Sequence, residues 1–440
     1  MVYILFAGTW EDFHSISIPP KYRSSLGSFL PYYVGEKEAP LHTIVIGGNH
    51  EASQSLQELY YGGWLAPKIF YMGAAGVVRY RGLRIGGLSG IFKGYSFRQP
   101  HWERPPYNRS DSLKSIYHVR QVEVARLKTL LSPTTEPTKT AETSPLGKRI
   151  DVMLSHDWPR GIEQYGDLQG LLRRKPFFRE DIMKNQLGNP LGFEILKHLK
   201  PRYWFSAHLH VRFEATVSHE QKASPNPPPQ QLTPTQTITA STAGAHPKAE
   251  TDDMTTKFVA VESKDPCGPP DLTEQMTKFL ALDKCLPRKP YLSILHIPLT
   301  EESKSKGTGE PKLEYDAEWL TILKKTHHWT REGASMEPVT VTAAEVHETE
   351  NQLQSVLIPE TFLPTIPLLS ASASTERIPR ELPPPLAQMG NPQTDQFLQM
   401  LGLDHCTSGI TIPFSGTTSE ATVRATVGDP DENEIDLEDI

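Results

Sequence analysis

His42-Thr43-Ile44-Val45-Ile46-Gly47-Gly48-Asn49-His50-Glu51 decides how the rest of the chain is read. Its β-branched run, Thr43 to Ile46, has the composition of a short buried strand. Gly47 and Gly48 break that strand and permit a tight turn with close backbone approach. An amide, an imidazole and a carboxylate follow at once. Such side chains at a strand's carboxyl end stand where open α/β sheets carry their sites. Two later apolar runs end the same way: Ile150-Asp151-Val152-Met153-Leu154-Ser155-His156-Asp157-Trp158 and Tyr203-Trp204-Phe205-Ser206-Ala207-His208-Leu209-His210. Three such ends point to one sheet whose loops converge on a metal.

The 440-residue chain has room for two or three domains. Its 37% hydrophobic content and 39 prolines imply that part of it lies outside a packed core. A net charge of −7 does not advertise nucleic-acid binding by the whole molecule, although a basic site can sit within an acidic chain. Cys267, Cys285 and Cys406 are odd in number and widely spaced, which fits a reducing compartment better than a disulfide framework or a zinc ribbon. No apolar stretch approaches the roughly 20 residues of a membrane span. Met1–Gly8 is too short for a secretory leader, so neither export nor a membrane partner is expected.

Taken in order, Met1–Gly8 reads as a strand and Pro19–Arg23 as a turn. Ile69–Met72, Gly76–Tyr80 and Leu83–Leu88 read as successive strands, with Arg81-Gly82 as a hairpin turn. Ser115–Leu131 has the spacing of an amphipathic helix, Phe193–Leu199 reads as another, and Val211–Thr216 as a strand. These belong to a first domain, residues 1–218, with a polar mobile insertion at 132–147. Residues 219–256 read as a disordered linker. A second domain is expected over 257–405, with Lys257–Val261 and Tyr291–Ile297 strand-like, Leu313–Leu320 packing on them, and a polar insertion at about 330–390. Asn391–Leu401 looks like a capped helix, and 406–440 like an acidic disordered tail.

Phe92–Arg120 stands apart. Lys93, Arg98, Arg104, Arg109, Lys114 and Arg120 face only Glu103 and Asp111, and Phe92, Tyr95, Phe97, Trp102, Tyr107 and Tyr117 are interleaved, with His101 and His118. Cations that contact phosphates, alternating with rings that stack on bases, are the ingredients of single-stranded nucleic-acid binding. The alternative is a solvated loop whose aromatics plug the core.

The chemistry centres on the histidines. His208-Leu209-His210, if extended, points both imidazoles to the same side. With His156 as a third nitrogen and Asn49 as an amide oxygen, the set suits Zn, Fe or Mn. His50, one residue beyond a ligand, is the candidate general acid for a leaving alkoxide.

These residues resemble the metal-site motifs of the calcineurin-like metallophosphoesterases, in Gly47–Glu51, His156 and Ala207–His210. Within that superfamily the sequence is similar to the RNA lariat debranching enzymes. The likeness runs through Pro19–Arg23, Tyr33–Lys37, Gly47–Ala52, Leu59–Trp64, Gly86–Lys93, Pro105–Tyr107, Ser115–Arg120, Leu154–Pro159, Tyr203–His210, Thr277–Leu286 and Asn391–Asp395. The resemblance implies an α/β (α+β) fold, a β-sandwich flanked by helices, with a small C-terminal domain. It implies hydrolysis of the 2′–5′ linkage at the branch point of excised intron lariats, in splicing and intron turnover, by a nuclear monomer whose partner is branched RNA and not DNA. Asn49, His156, His208 and His210 match metal ligands and His50 the general acid. Phe92–Arg120 matches the lariat-recognition loop, with Lys93, Arg104, Tyr107, Tyr117, His118 and Arg120 as expected RNA contacts.

In one respect the sequence departs from the family. The family's opening Cys-x-His motif and a following Gly-Asp-Phe strand have no counterpart, and Glu11, Asp12 and His14 do not restore them. The expectation is an N-terminally incomplete record of a debranching enzyme. The rival is a catalytically impaired branched-RNA-binding protein that has lost half of its metal site. A phosphoesterase for small nucleotides is disfavoured by the long basic-aromatic loop.

Overall fold

The computed structural model describes residues 15–17, 28–103, 107, 112–132, 146–219, 276–299, 311–331, 333–353, 355–363 and 391–404. Outside them lie Met1–Gly8, Pro19–Arg23, Glu11, Asp12, His14, Arg104, Lys257–Val261, the tail from 406, most of 132–147 and nearly all of 219–256. The strand-forming runs make two sheets. Strands β1 (Thr43–Val45), β2 (Gly63–Ala66) and β3 (Ile69–Tyr71) form one, in the order β1-β3-β2. Strands β4 (Ala75–Tyr80), β5 (Leu83–Leu88), β6 (Val152–Ser155), β7 (Tyr203–Ser206), β8 (Phe213–Ser218), β9 (Met276–Ala281) and β10 (Leu313–Tyr315) form the other, in the order β10-β4-β5-β6-β7-β9-β8. Strands β5, β6, β7 and β9 run parallel. Arg81 and Gly82, at φ 52° and 74°, close the β4–β5 hairpin in the doubly left-handed turn that suits two-residue loops.

Alternation along these strands builds three layers of core. Ile44, Ile46 and Phe70 join Trp64, Met72, Val78, Ile85 and Leu313 between the sheets. Their neighbours Val45, Ile69 and Tyr71 point the other way, onto Phe29, Leu59 and Leu65. The far face of the large sheet carries Val77, Leu88, Met153, Trp204 and Phe279 against Leu127, Ile195, Leu196 and Trp319 of the surrounding helices. This is the helix-flanked sandwich expected. Burial of each such side chain contributes about 1.5–3 kcal/mol.

The C-terminal elements are woven into this frame. Strand β9 lies inside the large sheet between β7 and β8, and β10 is its edge. Asp316 caps the helix Ala317–Thr326 by accepting from Trp319 N at 3.1 Å, and its carboxylate also holds Arg84 at 2.8 Å and Arg79 at 2.8 Å. Glu318 meets Arg84 at 3.1 Å. All four side chains are buried or nearly so, and removing one partner of such a group costs about 3–5 kcal/mol. Helix Pro392–Leu401 is capped by Asn391 and stops at Gly402, whose φ of 66° ends it in the left-handed conformation. Gln393 works as a strand extension: it accepts from Trp64 N at 2.8 Å and donates to Trp64 O at 2.9 Å.

Three readings are corrected. The helix expected over Ser115–Leu131 begins only at Gln121 and ends at Thr129. Before it, Val119 N is drawn to Ile91 O at 2.9 Å, and Arg120 N is capped by Glu123 at 2.8 Å. Tyr291–Ile297 is not a strand; it has no regular structure and leaves Ile294 81% exposed. The 330–390 stretch contains a helix, Ala343–Gln352, started by the capping box Thr342/Glu345.

Candidate metal centre and nucleic-acid cleft

Loops leaving β1, β5, β6 and β7 meet at one edge of the sandwich. Gly90 N donates to Gly47 O at 2.9 Å, Gly47 N to Ser89 Oγ at 3.0 Å, and Ala207 N to His156 O at 3.0 Å. The two glycines matter for a steric reason. A Cβ on Gly48 would stand 2.8 Å from His156 Cε1, so only glycine lets the loop lie on that ring. His156 Nε2 donates to Asn49 Oδ1 at 3.0 Å, and the His156 and His208 rings are 5.1 Å apart. Asn49, His156, His208 and His210 are 4%, 2%, 7% and 8% exposed. His50 is half-buried, with Nδ1 donating to Ser17 O at 2.9 Å. The structure thus brings Asn49, His156 and His208 into contact, with His50 and His210 near enough to act on His156 as charges.

The expected extended His208-Leu209-His210 is not what forms. β7 ends at Ser206, and His208 and His210 adopt φ of 57° and 52°. Side chains rarely tolerate this left-handed region, and each instance costs about 1–3 kcal/mol. Leu209 N donates to Ala207 O at 2.7 Å within the same turn. Strain of this kind persists where surrounding structure fixes the backbone, and it gathers at functional sites.

Burial, then the neighbouring imidazoles, keep the cluster neutral. Burial holds His156 well below the usual histidine range, reinforced by His208, His50 and His210. Burial brings His208 to about 3, helped by His50 and Lys93. His210 also falls to about 3, from burial and then Lys284, His208, Lys175 and His50. Neutral imidazole is the form that ligates metal. By type, Asn49 Oδ1 and three neutral imidazoles are donors that a divalent ion accepts. Among the described residues, no three His, Cys, Asp or Glu side chains are placed so that they could hold a metal ion together.

Asp157 is a neighbour to which sequence reasoning gave no role. Burial raises it to about 6, although the N–H groups of Phe92 (3.3 Å) and Trp158 (3.0 Å) pull the other way. It ties the start of the basic loop to the β6 end. Its place directly after His156 was the available signal.

The basic loop departs most from expectation. Arg120 is fully buried, paired with Glu103 and donating to Ser96 O at 2.7 Å and Ser115 O at 3.0 Å. His118 is buried on Ser96 Oγ at 2.9 Å, and Tyr117 packs edge-on against it. Tyr107 donates to Gln57 Oε1 at 2.7 Å. Arg120, His118 and Tyr117 are thus buried and support the loop from within, His118 and Tyr117 also lining the cleft beneath it; Arg104 lies outside the described residues. The rings that do face solvent are Tyr95 and Trp102, 65% and 43% exposed. Beneath the loop, despite burial, His101 holds Glu123 down to about 2, and Tyr60 donates to Glu123 at 2.7 Å. A small cleft, about 50 Å³ in volume, lies between Gly47, Gly48, Tyr60, Tyr71, His101 and Tyr117.

A family model described as the lariat debranching enzyme C-terminal domain matches residues 274–406. The human lariat debranching enzyme is 44% identical over 315 residues, 72% of this chain and 45% of the relative. That of Drosophila pseudoobscura is 40% identical over 408 residues, 90% of this chain and 68% of the relative. That of Schizosaccharomyces pombe is 37% identical over 428 residues, 89% of this chain and 87% of the relative. The chain therefore spans about half the length of the human relative and most of the fission-yeast one.

Proposed function

Since the chain belongs to the lariat debranching enzyme family, we propose that it hydrolyses the 2′–5′ phosphodiester of branched RNA. The observation that carries this reading is the convergence of Asn49, His50, His156, His208 and His210 at adjacent loop ends. A divalent ion (iron, zinc or manganese) held by Asn49, His156, His208 and His210 would supply the Lewis acidity that phosphodiester hydrolysis uses. His50 donates through Nδ1 to the Ser17 carbonyl, which leaves Nε2 to carry the proton toward the departing 2′ oxygen. The exposed rings of Tyr95 and Trp102 offer stacking surfaces to flanking bases. Among the residues named from sequence, Lys93, Tyr107 and the cleft-lining Tyr117 and His118 are the RNA-facing candidates, whereas Arg120 is fully buried. The setting we propose is intron turnover after splicing, in the nucleus, by a monomer.

The test is cleavage of a synthetic branched oligoribonucleotide with divalent metal added. Release of the 2′-linked branch is expected, and His50→Ala should abolish it while leaving affinity for the branched RNA. Full activity of His50→Ala would overturn the assignment of His50. No cleavage by the wild type under any divalent metal would overturn the activity itself.

A further inference from the structure

Tyr60 and Tyr61 are held from two sides, by the basic loop and by the C-terminal helices. On the loop side, Tyr60 donates to Glu123 Oε1 at 2.7 Å, and the same oxygen accepts Nε2–H of His101 at 2.9 Å. On the C-terminal side, Arg126 donates through Nη1 to the Tyr60 hydroxyl at 3.1 Å. Its Nε donates to Thr326 Oγ1 at 2.9 Å and its Nη2 to Thr326 O at 3.0 Å, so the guanidinium is seated on the helix Ala317–Thr326. Tyr61 donates to His327 Nδ1 at 3.2 Å and stacks on Phe397 at 5.5 Å. Tyr60, Glu123 and Arg126 are all buried, where a polar group that loses its partner is costly, so the bonds stand or fall together. His101 is followed directly by Trp102, whose ring is exposed. Next comes Glu103, fully buried against Arg120, with its carbonyl accepting from Gln57 at 2.9 Å. The Trp102 ring is therefore presented from backbone pinned on both sides.

We propose that Arg126 is a positioning residue for RNA binding: seated on Thr326, it fixes Tyr60, and through Tyr60 and Glu123 it fixes His101 and the orientation of the neighbouring Trp102 stacking surface. This role rests on the debranching reading for its substrate. The C-terminal region, which supplies Thr326, then sets affinity for branched RNA by way of the basic loop.

The test uses the full chain with Arg126→Met, Tyr60→Phe and the double variant. Two substrates are compared with divalent metal added: a branched oligoribonucleotide, and bis(p-nitrophenyl) phosphate, a small diester with no flanking bases to stack. A displaced stacking ring removes binding energy that ground state and transition state share, which raises KM and leaves kcat. Arg126→Met should raise KM for the branched RNA by about 10-fold, within the range for loss of one base–aromatic stack. Its kcat, and its turnover of the small diester, should stay within about twofold of wild type. Tyr60→Phe should raise KM for the RNA equally, and the double variant by about 10-fold instead of the about 100-fold of independent sites, since both substitutions break the same link. Wild-type KM for Arg126→Met, an equal loss on both substrates, or a multiplicative effect in the double variant overturns the proposal. Should Arg126→Met not fold, Thr326→Val, which removes the acceptor of Nε, takes its place in the same comparison. A wild type that turns over the small diester but not the branched RNA overturns the debranching reading. Affinities of wild type and Arg126→Met for that RNA, read by fluorescence anisotropy, then decide the positioning role by the same criterion.

Discussion

Gly48→Ala tests whether the first loop must lie directly on His156. The added methyl would stand 2.8 Å from Cε1, 3.1 Å from Nδ1 and 3.2 Å from Nε2 of that ring. To restore ordinary van der Waals contact, ring and loop must separate by about 0.6 Å. The ring cannot retreat freely, because it is 2% exposed and its Nε2 is bonded to Asn49 Oδ1 at 3.0 Å. Misplacement of a reacting group by about 1 Å typically costs about 100-fold in rate. A 10- to 100-fold loss of kcat is therefore expected, about 1.4–2.7 kcal/mol in barrier. Stability should change little by comparison. Gly94→Ala is the control, since a Cβ there meets nothing within 4 Å. Both variants are assayed on the branched oligoribonucleotide, with melting temperatures measured alongside. Wild-type kcat for Gly48→Ala would refute the claim that close approach to His156 is required.

Asp316→Asn should destabilise by about 3–5 kcal/mol in denaturant titration, because Arg79 and Arg84 stay buried beside a neutral amide. Burial raises the Asp316 carboxyl, but Arg84 and Arg79 outweigh it and hold the group at about 2, below its unfolded value. Its contribution is therefore complete above about pH 4 and lost as pH falls toward about 2, so wild type and variant should converge over that window. Gln393→Ala removes both bonds to the Trp64 backbone and should cost about 1–3 kcal/mol without changing kcat, as measured by urea unfolding and turnover.

Many of the strands were legible locally, since β-branched runs that stop at glycine or histidine need no long-range information, whereas their stacking into a sandwich came only from the family resemblance. Asn391 as a helix cap was legible for the same reason. Chain conformation past the strand ends was not. Nothing in Ala207-His208-Leu209-His210 signals two left-handed residues, because tertiary packing imposes that backbone. Arg120 was misread because charge counting within 92–120 treats a cation as solvated. Its partner Glu103 lies in the same segment, and burial of the pair depends on the fold around it. The helix Ala343–Gln352 had a readable start in Thr342 and Glu345, hidden by the polar composition around it. Least legible was the position of β9 between β7 and β8, since pairing between strands so far apart in the chain is set by the fold as a whole.

That position has a consequence for biosynthesis. Strand β8 follows β7 in the chain, yet the two are not neighbours in the finished sheet. The hydrogen-bonding edge of β7 must wait for residues 276–281, which leave the ribosome after the whole stretch from 219. At about 5–20 residues per second, that interval of about 60 residues lasts roughly 3–12 s. During it, Tyr203–Ser206 presents an open parallel edge, and premature hairpin closure with β8 would have to be undone. A nascent chain halted between residues 219 and 275 should therefore be protease-sensitive and a chaperone client, whereas one halted well beyond 331 should resist digestion.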